Sequence, residues 1–129
     1  MNNDNDRQHD DFLSGYRDCA EWCGCVVGNA DNEHATPGSL DQPWSEEALD
    51  AMRSDCARFI EANRADLAEA SALGNLWTSL GNDFFLSRNG HGAGYFDRGR
   101  EPVWQRLQRA AKAEGEVNFT IESGEIVSA

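Results

Sequence analysis

An α+β fold is predicted, with a helical N-terminal half of about three helices packed on a small antiparallel sheet made of two hairpins with one intervening helix. Three observations predict it. Between residues 10 and 80, apolar side chains recur at intervals of three and four. Residues 81–99, GNDFFLSRNGHGAGYFDRG, place aromatic residues on either side of an Asn-Gly pair. Residues 117–127 alternate apolar and polar around Ser123-Gly124.

At 129 residues the chain is expected to form a single domain with one modest core. Residues 1–9 are polar and are expected to be disordered. A first helix starts at Asp10, with Phe12, Tyr16, Cys19, Ala20 and Cys23 inward, and stops near Gly24 or Gly28. Residues 28–43, rich in polar residues with Gly and Pro, read as a long surface loop. Ser45 is the N-cap of a second helix, with Glu46 and Glu47 at its positive end and Trp44 stapled onto Leu49. The inner stripe of that helix is Leu49, Met52, Cys56, Phe59 and Ile60.

A third helix is expected from Ala65 to Leu80, with Leu73, Leu76, Trp77 and Leu80 on one face and Gly81 as its stop. Residues 81–99 then read as a hairpin: Phe84 and Leu86 face one way, Tyr95 and Phe96 return, and Asn89-Gly90 turns the chain. Arg88 and Asp97 would pair across its strands, with Arg88, Asn89 and His91 at the tip. Pro102 opens a last helix, with Val103, Leu107, Ala110 and Ala111 inward and Gly115 at its end. Trp22 and Trp104 fit an inner stripe least well. Val117, Phe119 and Ile121 form the first strand of a second hairpin, and Ile126 and Val127 lie on its return.

Cys19, Cys23, Cys25, Cys56 and His34 are soft enough to hold zinc, but no paired Cys-x-x-Cys knuckle occurs. Buried cysteines acting as small hydrophobes are therefore expected, without metal or other cofactor. His91 could serve as a general base, yet no nucleophile or orienting partner accompanies it, and the only lysine, Lys112, is distant in sequence. No catalytic residues are assigned. The chain has no apolar run of 18 residues, and its start lacks the basic and apolar regions of a secretory signal, so a cytoplasmic protein away from the membrane is expected, taken as a monomer.

Charge limits the partners. The net charge is -12, and residues 1–70 hold 16 acids against 5 bases, whereas residues 71–129 hold 7 against 6. Direct binding to nucleic acid is disfavoured by the sign. An acidic face of this kind either keeps the protein dissolved or occupies a basic nucleic-acid groove on another protein. The residues expected to make that contact are Asp10, Asp11, Asp18 and Glu21 from the first helix, and Glu46, Glu47, Asp50 and Glu61 from the second.

The segment from Asp83 to Gly99 resembles the phrase Asp-Phe-(Trp/Phe)-Leu-(Ser/Thr)-Arg-Asn-Gly-His-Gly-Ala-Gly-(Phe/Tyr)-(Trp/Phe)-Asp-Arg-Gly, a signature of small proteins encoded by bacteriophages and prophages. The likeness extends to residues 12–16, FLSGY, and 52–60, MRSDCARFI, and so covers most of the chain. It departs at Asn82, where His is usual, and at Phe85 and Phe96, where Trp is usual. The family carries no agreed chemistry. Joined to the charge, the resemblance implies an inhibitor of a host defence system, of the anti-CRISPR type. Its expected partner is a host protein with a basic nucleic-acid-binding surface, such as a Cas effector subunit. The alternatives are a small enzyme or a structural or regulatory phage protein that uses Arg88, Asn89 and His91.

Overall fold

The computed structural model describes residues 3–23, 43–90 and 92–128, without the side chains of Asn3, Trp22, Cys23 and Ile121. Among these residues lie five α-helices and one two-stranded antiparallel sheet: α1 (Asn3–Cys23), α2 (Glu46–Ala62), α3 (Arg64–Ala72), α4 (Trp77–Asn89), α5 (Pro102–Ala113), β1 (Phe119–Glu122) and β2 (Glu125–Ser128). A single 3-10 turn, Tyr95–Asp97, sits between α4 and α5. The α+β class holds; its internal layout differs from the expectation.

Helix α1 begins at Asn3, so residues 3–9 are helical rather than disordered. Asp4 and Asp6 stand in its first turn, where carboxylates offset the exposed N–H groups, and Asn5 and Gln8 line a depression together with Arg64, Ala68 and Trp77. Its inner stripe is as expected: Phe12, Tyr16, Cys19 and Ala20 are buried. The predicted stop at Gly24 or Gly28 and most of the 28–43 loop fall outside the described residues. Helix α2 matches its sequence signals. Ser45 is extended, its Oγ accepts from the Ala48 N–H at 3.1 Å, and Met52, Cys56, Phe59 and Ile60 are buried. The ring of Trp44 packs edge-on to Phe119 at 4.9 Å, and Leu49 rests at the margin of the core.

The predicted third helix is two helices. Gly74, at φ 104°, breaks the chain after α3, and Leu73 and Leu76 are left exposed at the corner. Gly81 lies inside α4 rather than at a helix end. A Cβ there would fall 1.8 Å from the Phe12 carbonyl oxygen, and one on Gly15 would fall 1.8 Å from the Thr78 carbonyl oxygen. These two glycines let the backbones of α1 and α4 touch, which larger residues would prevent.

The first predicted hairpin does not form. Residues 77–89 are helical because Leu80, Phe84, Ser87 and Arg88 follow a helical period, as do Gly81, Phe85 and Arg88, and the neighbouring elements bury all of them. The Asn-Gly pair ends the helix: Gly90 is left-handed at φ 66°, ψ 41°, and its N–H returns to the Leu86 and Ser87 carbonyls. The same dipeptide serves hairpin turns and helix stops, and here the tertiary context selects the stop.

Helix α5 starts with Pro102 and buries Val103, Leu107 and Ala111; Trp104, expected to fit poorly, is buried as well and donates from Nε1 to Glu101 at 3.0 Å. The second predicted hairpin is present. Thr120 pairs with Val127 and Ile121 with Ile126, and Ser123 and Gly124 turn at φ 52° and 81°. In place of the missing first hairpin, β2 meets the residues before α2: the Ser45 N–H donates to the Ile126 carbonyl at 2.9 Å, and the Ile126 N–H donates to the Pro43 carbonyl at 2.8 Å. Stacked rings span the interior, with Phe59 on Phe84 at 4.1 Å and on Tyr95 at 6.2 Å, and Phe85 near Phe119 at 6.4 Å.

Candidate functional site

The acidic residues were the candidate contacts, and the fold distributes them unevenly. Glu21 of α1 accepts from the Trp44 indole N–H at 2.7 Å, which fixes the end of α1 beside the start of α2. Between the two helices runs a groove of about 320 Å³ lined by Asp10, Leu13, Ser14, Arg17, Asp18 and Glu21 on one side and by Leu49 and Arg53 on the other. Glu46 and Asp50 share the stripe of Leu49 and Arg53 at helical spacing but do not line the groove. Asp10, Asp18 and Glu21 are thus brought together along one groove, with Arg17 and Arg53 among them.

The other acids lie elsewhere. Glu47 points to the hairpin side of α2, in a shallow depression shared with Glu46 and Glu125. Asp11 faces the opposite flank of α1, beside Leu76 and Trp77. Glu61 is at the far end of α2, about 22 Å along the axis from Glu46, and pairs with Arg64 at 3.1 Å.

Arginine placement decides which carboxylates stay available. Arg53 holds Asp50 at 2.8 Å and Arg17 reaches Glu21 at 3.5 Å. Arg58 bridges Asp55 and Glu114, Arg98 holds Asp83 at 2.7 Å, and Arg106 spans Asp66 and Glu69. By contrast, Asp4, Asp6, Asp10, Asp11, Asp18, Glu46 and Glu47 make no ion pair among the described residues. Asp97, Glu101, Glu116, Glu122 and Glu125 make none either, nor does Arg7 of α1, so carboxylates without ion pairs line α1 and the first turn of α2 and recur after α4.

Arg88 and Asn89 lie in the last turn of α4 and not at an exposed hairpin tip. His91 lies outside the described residues. Arg88 is only 5% exposed, and each nitrogen of its guanidinium is engaged: Nε donates to the Gly115 carbonyl at 2.7 Å, Nη1 to Asp55 at 2.8 Å and to the Tyr16 hydroxyl at 3.1 Å, and Nη2 to the Glu114 carbonyl at 3.2 Å. Burial works against this charge, but the Tyr16 and Asp55 oxygens outweigh it and hold Arg88 above the ordinary arginine range. Asn89 accepts from the Val117 N–H at 2.8 Å and donates to the Phe85 carbonyl at 3.0 Å. Both residues tie α4 to the segment after α5. The predicted Arg88–Asp97 pair is replaced by Arg88–Asp55, and Asp97 instead accepts from the Gly94 N–H at 3.2 Å. A helix cannot offer cross-strand neighbours, so the pair had no geometry in which to form.

The remaining titratable groups of the interior serve packing. Cys19 and Cys56 are buried, and burial pushes the Cys56 thiol up, with Asp55 adding to the shift. Burial likewise raises the Tyr16 and Tyr95 hydroxyls, and the latter donates to the Leu80 carbonyl at 2.7 Å. Cys25 and His34, and the side chain of Cys23, lie outside the described residues. Among the described residues no three His, Cys, Asp or Glu side chains are grouped to hold a metal ion, and no helix is long and apolar enough to cross a membrane.

Sequence reasoning missed the long-range arginine pairs, because Arg58–Glu114 and Arg106–Asp66 join segments distant in the chain. It also missed the exposed corner at Leu73 and Leu76. Gly74-Asn75 is a turn signal that marks that break. Compared with known proteins, the chain matches no family model, no curated protein and no solved structure.

Proposed function

We propose that the chain is a small acidic inhibitor of a host defence system, of the anti-CRISPR type, that binds a nucleic-acid-binding effector protein and blocks its engagement of DNA. One observation carries the reading: α1 and the first turn of α2 bear Asp4, Asp6, Asp10, Asp11, Asp18, Glu46 and Glu47 without ion pairs among the described residues, with Arg7 as the unpaired base among them. Asp6, Asp10 and Asp18 ride along α1 at intervals of about 6 and 12 Å. A rigid helical row of charges can enter a groove built for phosphates, because such a groove gains by replacing its counterions with fixed anions. The setting in host defence rests on the resemblance of residues 83–99 to phage proteins. Engagement of Arg88 inside the fold weighs against the rival reading, an enzyme acting through that side chain.

The test is charge reversal. Glu46, Glu47 and Asp50 are exposed, so changing all three to Lys leaves the core untouched and costs roughly 0.3–1 kcal/mol per site in helix-dipole interaction. Against purified CRISPR surveillance complexes, the parent chain is expected to bind, to compete with DNA, and to weaken as salt rises through the ~8 Å screening regime of physiological ionic strength. The triple variant is expected to lose binding. Equal binding by parent and variant, indifferent to salt and DNA, refutes the reading.

A further inference from the structure

We draw no further inference here: the strongest candidate, the outer face of α5, where Arg109 and Lys112 stand exposed without ion pairs among the described residues and no acid interrupts the helix, is an unpartnered surface patch, and nothing in the structure shows what covers it.

Discussion

Replacing Arg88 with alanine separates a structural clamp from an exposed contact. The guanidinium links α1 through Tyr16, α2 through Asp55, and the end of α5 through the Glu114 and Gly115 carbonyls, and it lies 5.2 Å from the centre of the Phe84 ring. Removing one partner of a buried ion pair costs about 3–5 kcal/mol when the other charge is stranded. Here the stranding is partial. Asp55 is 21% exposed and keeps Arg58, and Gly115 is open to water, so its carbonyl can be hydrated. The expected loss is therefore near the lower end, about 3 kcal/mol, a large fraction of the ~5–15 kcal/mol that holds a domain together. Urea unfolding followed by circular dichroism should show a lower midpoint with an unchanged slope. A double-mutant cycle between Arg88→Ala and Asp55→Asn should give a coupling above about 1 kcal/mol, and the cycle between Arg88→Ala and Asp97→Asn should give none. A loss below about 1 kcal/mol for Arg88→Ala, or coupling to Asp97 in place of Asp55, would refute the clamp and restore an exposed turn.

Gly81→Ala should be severe, costing at least about 3 kcal/mol, because the new methyl meets the Phe12 backbone oxygen and the two helices must part; thermal unfolding measures it, and Gly15→Ala should behave alike. Stability should also fall at alkaline pH. Cys56, Tyr16 and Tyr95 all titrate higher in the folded protein than their ordinary 9.0 and 10.0, so their contribution is complete below pH 9 and is lost as pH rises beyond those values. Each group then removes up to about 1.4 kcal/mol per pH unit, and Cys56→Ala should flatten the first part of the decline in a series of melts between pH 8 and 11. A flat profile across that range would contradict the burial of these three groups.

Local signals in the sequence determined the elements that close on themselves. Ser45 with Glu46 and Glu47 starts α2, Pro102 starts α5, and Ser123-Gly124 turns β1 into β2, each because the residue types satisfy or preset nearby backbone groups. The acidic excess of residues 1–70 was also legible, since net charge depends on composition alone. Only the tertiary structure decided the rest. Residues 77–89 carry apolar side chains on several faces and end in Asn-Gly, a pattern compatible with strand or helix; packing against α1 and α5, with Gly81 against the Phe12 backbone, selects the helix. That choice moved Arg88 from a turn into the core. Which acids remain uncompensated was equally hidden, because Arg58 and Arg106 find their partners across 56 and 37 to 40 residues, and no local rule spans that distance.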